Sequence, residues 1–418
     1  VVIKDLLIST PSSVIPAWGA IAVAAVVGQM IYRWKINLLL TTVIGVVALY
    51  ALILVGDAYP VELSDPVLGM SPATFWILAL FLYAGIASLL PVWVLLQPRD
   101  YINGVQLFIG LGILYTATLL SAPDVVAPAY NDDVPAGTPD LVPLLFVTIA
   151  CGAISGFHGM VSSGTSSKQL DTEPDARFVG YFGAVGEGLL ALGAIIAATA
   201  GYRTAADWEA VYTAFNQGGV TAFVDGGGSI LDAGLGISPS LGATVLATMA
   251  VLFAATTMDT GVRLQRFVVQ EVGEILGMKV DKFVGTVVVL AVALGLTFSS
   301  GAGGEGGMRI WPLFGTTNQL LASLTLSIVG VMLLRKRRNP LPALVPLVFV
   351  FVMSFYAALV QLETLWDDRD WLLLVIDVVI IIAAIWVAIE AAVAMRRARA
   401  MPPESDDADL VEAGTDGR

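Results

Sequence analysis

Eleven stretches of roughly twenty mostly apolar residues follow one another along the chain, at about 14–32, 36–56, 73–96, 102–122, 141–159, 177–200, 238–258, 282–299, 310–334, 341–361 and 371–395. About twenty apolar residues in helical form cross the hydrocarbon of a bilayer. Most of these stretches are apolar all round, whereas a soluble amphipathic helix keeps a polar face. Only 13% of the residues are charged and 57% are hydrophobic, against about 25% charged in an ordinary soluble domain. The expected fold is an all-α polytopic membrane protein of about eleven transmembrane helices. A transmembrane domain is expected over 1–395, and an acidic disordered cytoplasmic tail over 396–418.

Strict alternation of the spans, with the N-terminus outside, puts 17 of the 21 basic residues on the inner face; Lys4, Arg203, Arg309 and Arg369 are the other four. That asymmetry is what the positive-inside rule asks for. It predicts a plasma-membrane protein with its N-terminus outside and its C-terminus in the cytoplasm. The outer loops collect acids, among them Asp57, Asp124, Asp132, Asp133 and Asp367, and the net charge is −13. No basic footprint for nucleic acid is present. An acidic, lysine-poor surface is the pattern of a protein bathed in concentrated salt.

The most informative stretch is 141–168, LVPLLFVTIACGAISGFHGMVSSGTSSK. Gly152, Gly156 and Gly159 loosen this span, while Ser155, Ser162, Ser163 and Thr165 bring oxygens to backbone groups that lose partners. Irregular backbone at membrane depth is tolerated only beside a cavity or packed protein, and broken, glycine-marked spans point to transporter binding sites. His158, the only histidine, lies here; it is either a proton carrier or a packing residue. In YAGIASLLPVW, Gly85 and Pro91 break a second span and are expected to free backbone groups for a solute or ion. The two stretches are expected to face each other across a water-accessible cavity.

Among membrane-depth acids, Glu187 in GAVGEGLLALG is expected to face the bundle interior and to join in coupling. Asp377 belongs to a late helix without a motif. Asp259 is read as the N-cap of an amphipathic interfacial helix carrying Arg263 and Arg266 on its polar face. Asn318 and Gln319 lie within a span and need partners, from a neighbouring helix or from a solute. Cys151 stands alone, which excludes an internal disulfide and a cysteine-cluster metal site. The run GAGGEGG at 301–307 follows a membrane helix and lacks a phosphate-loop lysine, so the nucleotide reading fails. Neither a catalytic triad nor a metal cluster can be assembled.

Five segments carry a family resemblance: VIGVV at 43–47, LPVWVLLQPRDY at 90–101, TIACGAISGFHGMVSSGT at 148–165, TTMDTGVRLQRF at 256–267 and WPLFGTTNQLLA at 311–322. They resemble, in the same order, the carbon starvation protein A (CstA) family of inner-membrane transporters. The similarity runs from residue 1 to about 340, and an upstream segment of the family resembling GHHFAAIAGAGP is missing. The resemblance thus describes a member truncated at its N-terminus by about four spans, with a site only half-walled, and the acidic surface suits a haloarchaeal source. It implies import of peptides or a small carboxylate such as pyruvate during carbon starvation, driven without a cofactor by a proton or sodium gradient. The family in turn resembles the amino acid–polyamine superfamily, with its inverted-repeat core. On that likeness the span at 73–96 opens a repeat, and Ser162, Ser163 and Thr165 stand nearest the hydroxyls that help to hold sodium. The alternative is a membrane sensor, a scaffold or an inactive fragment of such a transporter.

Overall fold

The computed structural model describes residues 1–131, 134–135, 138–150, 152–213 and 219–402. Among them the helices are α1 (Val2–Ser9), α2 (Val14–Gly28), α3 (Leu38–Ala58), α4 (Pro72–Leu89), α5 (Leu96–Ser121), α6 (Phe146–Ala150), α7 (Gly156–Gly164), α8 (Asp175–Ala200), α9 (Ala205–Val211), α10 (Gly219–Leu235), α11 (Pro239–Ile275), α12 (Lys282–Thr297), α13 (Glu305–Arg309), α14 (Trp311–Arg335), α15 (Leu341–Asp367) and α16 (Trp371–Ala400). Among the described residues no strand occurs beyond one isolated bridge, Val67 to Met70. Among the described residues nine helical segments are long and apolar enough to cross a membrane, and Leu141–Ala150 and Lys282–Thr297 are shorter apolar helices. They stand at the eleven places the hydropathy indicates, and the fold is the expected polytopic all-α one.

Local chemistry sets many of the helix starts. Asn37 accepts hydrogen bonds from the Leu39 and Leu40 amides, Ser71 from Thr74, Ser238 from Leu241, and Asp281 from Phe283 and Val284. Each satisfies amides that the first helical turn leaves without a partner. Pro72 and Pro239 occupy the first helical position, where the missing N–H costs nothing.

The chain forms two compact units, residues 1–138 with 177–308, and residues 139–176 with 309–418. The core of the first lies among α1, α4, α5, α10 and α11, around Leu6, Trp76, Leu114, Leu231, Leu246 and Met249. In the second, α14 is central and packs against α7, α15 and α16. Large apolar side chains such as Leu39, Val47, Val345 and Ile382 stay exposed, as a lipid-facing surface requires.

Three expectations need correction. The span placed at 73–96 is helical only to Leu89, because Leu90 precedes Pro91 and takes an extended backbone. Secondly, α11 runs unbroken for 37 residues, so Asp259 sits in mid-helix and is no N-cap. Thirdly, α16 continues to Ala400, so residues 396–400 are helix; residues 403–418 lie outside the described residues, as do Asp132, Asp133 and Cys151. The stretch between the spans ending at 200 and starting at 238, which no predicted span covers, contains α9 and α10.

The glycines of α10 make that last difference. In isolation each glycine costs a helix about 1 kcal/mol, yet here they let helices touch backbone to backbone. A Cβ on Gly226 would lie 2.1 Å from the Ala197 carbonyl of α8, and one on Gly234 would lie 2.2 Å from the Ala117 carbonyl of α5. Gly226→Val should therefore lower stability in detergent by about 1–3 kcal/mol or more. Gly112→Ala on α5, where a Cβ meets nothing within 4 Å, should be neutral or gain up to about 1 kcal/mol. Equal thermal midpoints for the two variants would refute the close packing of α10.

Candidate functional site

In the first unit, three helices meet at a buried charged cluster. Arg99, in the first turn of α5, is 1% exposed, and Asp259, in the middle of α11, is 2% exposed. Their side chains form an ion pair at 2.6 Å, Nη1 to Oδ2. The Tyr83 hydroxyl of α4 donates to the same Oδ2 at 3.0 Å and accepts from Arg99 Nη1. Asp259 Oδ1 and Arg99 Nε have no hydrogen-bond partner among the described residues. Asp100, which is half exposed, lies 3.9 Å from Arg99 Nη2. A cavity of about 20 Å³ is lined by Tyr83, Arg99, Trp18, Leu7 and Val251; it is large enough for one water.

The cluster extends along both helices with the same spacing. Asn103 and Gln106 follow Arg99 at i+4 and i+7, which places all three on one face of α5. Each amide is 1% exposed and lacks partners among the described residues, as does the Thr248 hydroxyl of α11. Buried polar groups are nearly always hydrogen-bonded, so a row of unpaired amides beside an ion pair is a place for a polar guest. On α11, Arg263 and Arg266 follow Asp259 at the same i+4 and i+7. Arg263 Nη2 donates to the carbonyls of Ala87 at 3.3 Å and Leu90 at 2.9 Å, and Arg266 Nη1 donates to Ser88 at 2.9 Å. The break after α4 does free carbonyls, and two guanidiniums cap them, where cations also favour the negative helix end.

The second unit has its own break. The predicted span at 141–159 is helical to Ala150 and resumes at Gly156. Asn318 of α14 holds the start of the resumed helix. Its Oδ1 accepts from the Phe157 amide at 2.9 Å, and its side chain shares a hydrogen bond with the Ser155 hydroxyl. Gly156 allows this approach, since a Cβ there would lie 2.4 Å from the Asn318 carbonyl. Asn318 thus holds helices together in this arrangement. On neighbouring turns, Thr316 donates to Gln361 at 3.0 Å. The Gln319 amide and both Asp377 carboxylate oxygens are buried without partners among the described residues.

The sequence-based candidates are therefore spread out. Ser155, Gly156 and Asn318 come together. Gly152 lies in the turn that breaks the span, its amide on the Ile149 carbonyl. His158 is exposed on α7 beside Phe157. Ser162 and Ser163 are exposed and return their hydroxyls to the Gly159 and Met160 carbonyls of their own helix, while Thr165 ends that helix. Gly85 is a packing position, its missing Cβ 2.8 Å from Leu290 of α12, and Pro91 is exposed just past the break. Glu187 is exposed on α8 rather than turned into the bundle. Sequence reading missed Arg99, Asn103 and Gln106, and it placed Asp259, Arg263 and Arg266 at the interface. The shared i, i+4, i+7 spacing was the available signal.

The pair can be tested by a double-mutant cycle. Arg99→Leu or Asp259→Leu alone should cost about 3–5 kcal/mol, because each strands a buried charge. The double variant should cost clearly less than the sum, with a coupling of about 1–3 kcal/mol. Strictly additive losses would show that the two side chains do not interact.

Comparison with known proteins places these residues in a family context. The profile described as carbon starvation protein CstA matches residues 1–206 and 201–357. The chain is 32% identical over 389 residues to the peptide transporter CstA of Bacillus subtilis (strain 168), covering 81% of this chain and 63% of that protein. It is 30% identical over 335 residues to the peptide transporter CstA of Helicobacter pylori (strain J99 / ATCC 700824), with 67% and 48% covered. To the pyruvate/proton symporter BtsT of Escherichia coli (strain K12) it is 29% identical over 399 residues, covering 76% of this chain and 55% of the relative. The chain thus spans about half to two thirds of the length of these relatives. No solved structure matches.

Proposed function

The chain belongs to the carbon starvation protein CstA family, and from that premise we propose that it acts as a secondary transporter rather than an enzyme. Its cargo is a small solute bearing a carboxylate, a peptide or pyruvate, and a proton gradient drives the import. The relatives named as a peptide transporter and as a pyruvate/proton symporter support that class. The observation that carries it is the buried Arg99–Asp259 pair with its unpaired donors. In this reading the first span enters from the outside and the basic ends of the spans face the cytoplasm.

Peptides and pyruvate share one feature, a carboxylate, and the planar guanidinium fork is the side chain suited to hold one. Arg99 keeps Nε without a partner, so it can receive the solute's carboxylate as Asp259 lets go. A carboxylate left alone in an apolar interior neutralises by binding a proton. Asp259 Oδ1, which has no partner, is the atom that takes it. Solute and proton then enter together, and the site keeps one positive charge balanced by one negative charge. Tyr83 holds Oδ2 during the exchange, and Asn103 and Gln106 supply amide groups for the polar remainder of the solute. Glu187 and His158, both exposed, have no place in this exchange.

The test uses proteoliposomes and the fluorescence of Trp18, whose ring lies 5.8 Å from that of Tyr83. Asp259→Asn should still bind pyruvate or a dipeptide but lose accumulation driven by a proton gradient at least tenfold. Arg99→Gln should lose binding, and Glu187→Gln should accumulate solute like the wild type. Gradient-driven accumulation surviving in Asp259→Asn, or loss confined to Glu187→Gln, would overturn the reading.

A further inference from the structure

The second unit holds a separate cavity of about 510 Å³ between α14, α15 and α16. Its cause is a run of small residues. Ala384, Ala388, Ala391 and Ala392 lie on one face of α16 and leave space opposite Leu347 and Phe351 of α15. Thr317, Ser323 and Ser327 are the hydroxyl residues in its lining. All three donate to their own helix, Thr317 to the Leu313 carbonyl at 2.7 Å, Ser323 to Gln319 at 3.1 Å and Ser327 to Ser323 at 2.8 Å. A carboxylate therefore finds no free side-chain hydroxyl donor among these three residues, whereas an alkyl chain needs none.

One end of this groove is strongly basic. The C-terminus of α14, the N-terminus of α15 and the C-terminus of α16 share an end, tied by Arg337 donating to the Met401 carbonyl at 3.1 Å. Arg335–Arg338 follow α14, and Arg396, Arg397 and Arg399 close α16. Arg396 and Arg399 each stand four residues beyond a lining residue, Ala392 and Met395, so the stripe that walls the groove runs on into positive charge. Across residues 332–344 and 390–402 the one acid is Glu390.

We propose that this groove binds an anionic phospholipid, with an acyl chain between α14, α15 and α16 and the headgroup phosphate at Arg396 and Arg399. Basic pockets between membrane helices recognise such headgroups, and the apolar wall selects a chain over a polar solute. The site is distinct from the Arg99–Asp259 cluster and does not depend on the transport reading.

Native mass spectrometry of the full chain in detergent tests it, with phosphatidylglycerol and phosphatidylcholine of identical acyl chains as the probes. The wild type should retain phosphatidylglycerol at least tenfold better. Arg396→Gln with Arg399→Gln should bring the two lipids level. Ala388→Trp, and separately Leu324→Trp from the α14 wall in case the first variant folds poorly, should remove both lipids from the groove while the thermal midpoint holds. Equal retention of the two lipids by the wild type would overturn the proposal. So would a phosphatidylglycerol preference that survives the arginine or tryptophan changes, or a dimer that the tryptophans abolish, which would make a second copy the occupant.

Discussion

Two charges that an apolar bundle excludes one at a time are held together at 2.6 Å, Arg99 on Asp259. Each alone would face a desolvation penalty of several kcal/mol, and even as a pair they give little or no net stability over apolar residues of the same size. Their value lies in position. The pair sets the register of α5 against α11, Tyr83 brings α4 to the same carboxylate, and the next two turns of α11 carry the arginines that end α4. Three helices are thus fixed around one charged seam, and the apolar side chains of Trp18, Leu7 and Val251 line the small cavity beside Tyr83 and Arg99.

The same constraint governs both helix breaks. Backbone groups at membrane depth need partners, and in each unit a side chain from another helix provides them. After α4 the orphans are carbonyls, and guanidiniums cap them. At the start of α7 the orphan is the Phe157 amide, and the side-chain Oδ1 of Asn318 accepts from it. The donor or acceptor character of the side chain matches the helix end it serves. In this arrangement the carbonyls of Ala87, Ser88 and Leu90 and the amide of Phe157 are held by side chains, and they become available only when those side chains move.

Hydropathy made most of the fold legible, because burying a span in lipid demands a long apolar run whatever its neighbours do. Span positions, and the break near Gly152, could be read for that reason. The helix α10 could not, since FVDGGGSILDAG is too short an apolar run to mark a span and its glycines disfavour a helix, which is held by contacts with α5, α8 and α11. The charged site was lost through a similar weighting. Arg99, Asp259, Arg263 and Arg266 lie near the ends of apolar runs, where charge is cheap and reads as interface. That α11 continues unbroken through Asp259 follows from tertiary packing, which turns those charges inward. Glu187 shows the converse: an acid deep in an apolar run invites a functional reading, yet its face of α8 is exposed.

The choice of arginine over lysine completes the argument. None of Lys4, Lys35, Lys168, Lys279, Lys282 and Lys336 is buried, while among the described residues the buried cations are Arg99, Arg263 and Arg266. A buried lysine readily gives up its proton, whereas a guanidinium stays charged and presents several donors in one plane. Arg263 reaches the carbonyls of both Ala87 and Leu90 from one guanidinium, and Arg266 reaches that of Ser88. At Arg99 the consequence is electrical. A cation that cannot release its proton leaves Asp259 as the member of the pair able to change charge, so any proton the site exchanges is gained and lost on the carboxylate.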